Sequence, residues 1–173
     1  MLPGRLFGST SPLCLYASQV AERRGLTVHR HEWTGDIPDP LGPAVEDYVV
    51  AQATPLVDGI GGRPLLIGKS LGSCAAKLAA DRELPAVWLT PLLIAPWVAD
   101  ALRRATAPFL LVGGTNDRAW NSALARELTP HVLEVPDADH GMYVPGPLTD
   151  SIAVLAQMVV AVEDFLTKVD SLS

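Results

Sequence analysis

The chain has 173 residues, 49% of them apolar and 18% charged, which suits one domain burying roughly 70% of its unfolded surface. A net charge of −6 with no basic run argues against nucleic acid as a partner. No apolar stretch reaches the about 18 residues that a membrane span needs, and no basic-then-apolar leader opens the chain.

Short apolar runs alternate with helical periodicities along the chain. A short strand is expected over residues 5–8, then a helix over 12–24 closed by Arg24-Gly25, then a strand over 27–33. The Pro/Gly-rich stretch 35–43 reads as a loop, before a helix over 44–60. Strands follow at 65–68, 86–90, 109–113 and 132–135, separated by helices at 71–82, 96–105 and 119–128. In the last helix, 148–168, Ile152, Leu155, Val159, Val162 and Leu166 recur three or four apart and form one buried face. Strands alternating with helices in this way predict an α/β, doubly wound, mostly parallel six-stranded sheet with helices on both faces, in one domain over 1–173. Cys14 and Cys74 make no disulfide framework, so the chain reads as cytoplasmic with reduced thiols.

One strand-to-helix junction carries chemistry. Gly68-Lys69-Ser70-Leu71-Gly72 lies between the apolar run Leu65-Leu66-Ile67 and a small-residue helix. In that context a G-x-S-x-G lifts the serine hydroxyl above the strand ends. The two glycines flank it because side chains there would clash as the chain folds back. The helix that follows places its N–H groups and positive dipole end near the reacting oxygen. Asp117 follows the run 109–113, and His140 follows the run 132–135. Ser70, Asp117 and His140 thus share the carboxyl-terminal edge of a parallel sheet, where ligands bind. A serine hydroxyl needs a base to take its proton, and a neutral imidazole does this near physiological pH. Asp117 would fix the productive tautomer of His140. Asp137 and Asp139 compete for that role but lie close in sequence to His140.

On the elbow 68–72, on Gly114-x-x-Asp117 and on Asp139-His140-Gly141, in the order Ser, Asp, His, the chain resembles the α/β-hydrolase superfamily. The resemblance covers nearly the whole chain and is closest to small, capless bacterial serine hydrolases, dienelactone-hydrolase-like or carboxylesterase-like. It implies a minimal core that lacks the first two strands and a lid, opening on the strand before the oxyanion loop. It also implies an oxyanion hole made by the backbone N–H groups of Leu71 and of Ser9, in the turn Gly8-Ser9-Thr10. Phe7-Gly8 stands where many relatives carry His-Gly. The implied activity is hydrolysis of a small-molecule ester or thioester through an acyl-enzyme, with no cofactor, metal, nucleic acid or membrane. The same triad serves acyl transfer or cyclisation, and the fold alone serves a binding protein.

Other residues near the site have two readings each. Trp97, Trp120 and Met142 either line an acyl pocket or pack helix against sheet. Lys69 either pairs with a nearby acid or touches an anionic substrate. His29 and His31 share a strand face without the spacing of a metal site, and 59–62 lacks the context of a phosphate-binding loop.

Overall fold

Alternation along each central strand decides which core every residue enters. The computed structural model describes residues 1–171. Strands β1 (Leu66–Lys69), β2 (Ala86–Leu89), β3 (Phe109–Gly114) and β4 (Val132–Val135) form a parallel sheet in that order. Leu66 lies opposite Ala86, Ala86 opposite Phe109, and Leu111 opposite Val132. Ile67, Val87, Leu110 and Val112 point into a core shared with helices α1 (Pro12–Arg23) and α6 (Leu148–Asp170). Leu66, Ala86, Trp88 and Leu111 point the other way, toward α2 (Ala44–Ile60), α3 (Ala76–Asp81), α4 (Pro96–Arg104) and α5 (Ser122–Leu128). Every residue of β2 and β3 is buried, as a parallel sheet covered on both faces requires.

Local signals set the helix ends. Proline occupies the first turn of α1 and of α4, where its missing N–H leaves no bond unmade. Asn121 caps α5 by accepting the Leu124 N–H at 3.0 Å. Among the described residues, no helix is long and apolar enough to cross a membrane.

The sheet has four strands, not the six expected, and the difference lies entirely at the front of the chain. Residues 5–8 form a turn that runs into a 3-10 helix at Gly8–Thr10, and Leu6 and Phe7 are 81% and 76% exposed. The edge position belongs instead to the first residues. The Leu2 N–H donates to the Ile67 carbonyl at 2.8 Å, and the Lys69 N–H donates to the Leu2 carbonyl at 3.0 Å. The pairing does not extend to Gly4, so it stays a single parallel bridge.

The segment 27–33 is not a strand either. It runs beside the first residues, with Met1 nitrogen donating to the His29 carbonyl at 2.7 Å and the His31 N–H to the Met1 carbonyl at 2.9 Å. The chain therefore winds outward from residues 1–3 through α1, then returns through α2 to β1 on the other side. Between residues 1–3 and β1 the direction of winding reverses. Such a reversal opens a crevice at the carboxyl ends of the strands.

Candidate active site

Ser70 is the first residue past β1, and it lies at that crevice. Its φ of 50° is in the left-handed region, which costs a non-glycine residue energy and aims the side chain out of the turn. The flanking glycines are steric necessities. A Cβ on Gly68 would sit 2.5 Å from the Trp88 ring, and one on Gly72 would sit 2.2 Å from the Leu2 carbonyl oxygen. The helix expected over 71–82 begins as a 3-10 segment, Ser70–Ala75, and becomes α-helical only at α3. The Ser73 hydroxyl donates to the Ser70 carbonyl at 2.6 Å and accepts the Leu92 N–H at 3.0 Å, fastening the elbow to the loop after β2.

Asp117 and His140 come from the turns after β3 and β4. The Asp117 side chain is only 2% exposed. Its Oδ1 accepts the Ala119 N–H at 2.8 Å, and its Oδ2 lies 2.7 Å from His140 Nδ1. On the far side of the ring, His140 Nε2 lies 2.8 Å from Ser70 Oγ. The structure thus joins the three residues in one line of hydrogen bonds.

Asp139 faces elsewhere. Its Oδ1 accepts the N–H groups of Gly141 at 2.7 Å and Tyr143 at 3.0 Å, shaping the loop that carries His140. The Asp137 N–H donates to Thr115 Oγ1 at 2.8 Å, and the Asn116 N–H donates to the Ala138 carbonyl at 3.0 Å. These bonds tie the turn bearing Asp117 to the turn bearing His140. A Cβ on Gly114 would lie 2.2 Å from the Ala138 carbonyl oxygen, so only glycine lets the two turns meet.

Two clefts meet at Ser70 and His140. The smaller, about 130 Å³, is lined by Gly4, Arg5, Gly8, Ser11 and Lys69 among others. The larger, about 490 Å³, runs past Leu41, Leu71, Leu92, Ile94 and Arg118. A third cleft, about 410 Å³, opens among Val28, Leu65, Pro85 and Pro108, on the strands' amino-terminal side, and contains none of the three joined residues.

Several residues singled out in the sequence lie away from both clefts at Ser70. Leu71 lines the larger one, but Ser9 lines neither. Because the edge pairing stops after Leu2, the residues brought beside Ser70 are Gly4 and Arg5, upstream of the expected turn. Trp97, Trp120 and Met142 also line neither cleft. Trp120 lies over Gly113, where a Cβ would meet its indole at 2.1 Å, and its Nε1 donates to Glu134 at 2.6 Å. Met142 is buried in the α1–α6 core, and Trp97 packs on the opposite one.

Leu41, Ile94 and Arg118 reach the clefts from the loops after residue 33, after β2 and after β3, and Arg5 is the charged cleft residue that the sequence reading passed over. Arg5 had one usable signal, its place directly after Pro3-Gly4. Burial pushes the Lys69 ammonium below its ordinary pKa, against weaker opposing effects of Cys14, Asp117 and Asp139. Among the described residues no group of three or more His, Cys, Asp or Glu is placed to hold a metal ion.

No protein-family model and no curated protein matches the sequence. Solved structures do match. Est1E from Butyrivibrio proteoclasticus superposes with a TM-score of 0.75 at 14% identity, covering 96% of this chain and 85% of that one. An alpha-beta serine hydrolase homologue from Coxiella burnetii gives 0.60 at 18% identity, over 88% of this chain and 76% of that one. XC6422 from Xanthomonas campestris, a serine hydrolase without a lid, gives 0.55 at 15% identity, over 94% and 80%. A parallel sheet covered on both faces, a strained serine at the end of its first strand, and these likenesses agree: the chain has the α/β-hydrolase fold.

Proposed function

We propose that the protein is a serine hydrolase that cleaves a small carboxylic ester or thioester through an acyl-enzyme on Ser70. The observation that carries this reading is the line of contacts from Asp117 through His140 to Ser70, 2.7 Å and 2.8 Å long, ending on a serine at φ 50°. Ser70 Oγ attacks the acyl carbon while its proton passes to His140 Nε2. The carbonyl π electrons move onto oxygen. As they return, the bond to the leaving alkoxide or thiolate breaks, and the imidazolium supplies the proton that group needs. Water then attacks the acyl-enzyme by the same route, releasing the acid and restoring Ser70. Asp117 holds the Nδ1 proton in place and stabilises the imidazolium without taking the proton itself.

The backbone N–H groups of Leu71 and Arg5 serve as oxyanion donors in this scheme. Leu71 follows the nucleophile directly. Arg5 follows Gly4, which packs so near the serine that an added Cβ would lie 3.6 Å from Ser70 Cβ. One such donor is worth about 3 kcal/mol of transition-state stabilisation.

The test is covalent labelling by a fluorophosphonate together with hydrolysis of p-nitrophenyl butyrate. Ser70→Ala should lose both while keeping its circular dichroism and melting temperature. A folded Ser70→Ala variant that still labels and still turns over would overturn the proposal.

A further inference from the structure

The small cleft beside Ser70 carries positive charge that the hydrolytic machinery does not use. Lys69 and Arg5 both line it, and no carboxylate does. Among the described residues, neither side chain makes an ion pair or a hydrogen bond. The nearby acids face other groups: Asp117 bonds His140 and Ala119, and Asp139 Oδ1 accepts the N–H groups of Gly141 and Tyr143. The salt bridge that would have explained Lys69 as an ordinary surface residue is therefore not formed.

The cleft is also built to hold Lys69 where it is. Its stem runs under Gly4, where a Cβ would come within 3.1 Å of Lys69 Cδ. Burial lowers the pKa of the ammonium, the expected result of desolvating a charge without a partner. A second polar group sits in the same place. Ser11 lines the cleft with a buried hydroxyl whose polar neighbour is the Cys14 thiol, a weak hydrogen-bond partner. A buried hydroxyl without a strong partner calls for an explanation. An anion between Lys69, Arg5 and Ser11 would satisfy all three.

We propose that this cleft is an anion subsite, and that the ester or thioester cleaved at Ser70 carries a carboxylate or phosphate held by Lys69, Arg5 and the Ser11 hydroxyl. The assignment rests on the hydrolase reading of Ser70. Its volume of about 130 Å³ suits a compact charged group. The apolar part of the substrate then lies in the larger cleft of about 490 Å³, against Leu41, Leu92 and Ile94. The substrate is amphipathic, with its scissile carbonyl between the two.

Three esters test this. p-Nitrophenyl butyrate is neutral, mono-p-nitrophenyl glutarate adds a carboxylate on the acyl side, and 4-(butanoyloxy)phenyl phosphate adds a phosphate on the alcohol side. At least one anionic ester should exceed the neutral one by about tenfold in kcat/KM, mostly through KM, as charge-assisted contacts predict. The better of the two identifies the anion. Lys69→Gln and Arg5→Gln should each reduce the anionic-to-neutral ratio by about tenfold, and Lys69→Arg should restore most of it. Equal rates for all three esters, or a ratio that neither Gln variant changes, would overturn the subsite while leaving the hydrolase reading intact. If no ester is cleaved, the hydrolase reading fails. Calorimetric titration of Ser70→Ala with glutarate and with inorganic phosphate then decides the subsite: binding lost in the Ser70→Ala/Lys69→Gln double variant supports it, and no binding overturns it.

Discussion

Replacing Asp117 with Asn removes a charge and almost no volume, so it isolates what the carboxylate does for His140. Both carboxylate oxygens are committed, Oδ1 to the Ala119 N–H at 2.8 Å and Oδ2 to the imidazole at 2.7 Å. An amide offers only one accepting oxygen. If its NH₂ faced Ala119, a buried backbone donor would be left unpaired at a cost of about 1–3 kcal/mol. The amide oxygen therefore stays with Ala119, and the NH₂ turns to His140. Nδ1 must then accept, which moves the ring proton to Nε2, facing Ser70. A ring protonated there cannot take the serine's proton. The wrong tautomer costs about 10⁴-fold in kcat, or about 5 kcal/mol. Because the shape is kept, the melting temperature should move by only a few degrees. Asp139→Asn is the control, since its oxygen can still accept from Gly141 and Tyr143. Steady-state hydrolysis of p-nitrophenyl butyrate reads both variants. An Asp117→Asn enzyme within tenfold of the parent, or an Asp139→Asn enzyme more damaged than it, would refute the assignment.

His140→Ala should cost nearly as much activity as Ser70→Ala, and the double variant little more, because groups acting as a unit are not additive; additive losses would break the scheme. Gly72→Ala drives a Cβ to 2.2 Å from the Leu2 carbonyl, a backbone atom that cannot swing away, and should cost about 3 kcal/mol in urea unfolding. An unchanged urea midpoint would show that the edge pairing is looser than described. Burial pushes the Cys74 thiol up to about 12, from the 9.0 of an unburied thiol. Its contribution to stability is therefore complete below pH 9 and is lost as pH rises toward 12, with about 1 kcal/mol gone by pH 10. Cys74→Ala should flatten that alkaline loss relative to the parent, measured as the urea midpoint at pH 8 and pH 10.

The four inner strands were legible in the sequence because each is a short apolar run closed by glycine, proline or a polar turn. Val132–Val135 begins and ends as expected, and the other three shift by a residue or less at either end. The extent of the long helix α6 was legible from spacing, but its buried face only in part. Ser151, Val154, Met158, Val162, Phe165 and Leu166 are buried, whereas Ile152, expected inside, is exposed and Leu155 and Val159 are only partly buried. The front was not legible. Residues 1–3 are too few to show any period, although they hold the edge of the sheet. Arg5-Leu6-Phe7-Gly8 has the composition of a strand, yet Leu6 and Phe7 face outward. Composition reports which residues are apolar, while burial depends on a register that here is set by two hydrogen bonds from Leu2.

That Ser70, Asp117 and His140 share one edge was legible for a steric reason. Gly68, Gly72 and Gly114 each mark a place where a Cβ would strike another segment of the same chain, and these contacts bring the turns together. Trp97, Trp120 and Met142 were chosen by nearness in sequence, which says nothing about where a side chain points. Trp120 lies three residues past Asp117, yet its ring covers Gly113 because that position has no side chain.

Charge was the least legible property of all. A net charge of −6 gives no hint of a cationic cleft. Arg24, Arg30, Lys77, Arg82, Arg103, Arg104 and Arg126 each find an acid on the surface. Exposed pairs of this kind contribute little to stability and leave the acidic excess facing solvent. The winding reversal between residues 1–3 and β1 places Arg5 and Lys69 in the crevice instead, one from each side, where neither forms an ion pair among the described residues. The displacement that removes Ser9 from the site therefore also supplies Arg5. An error of register at the edge strand and an unexpected charge beside Ser70 have one cause, which is that the edge pairing stops after Leu2.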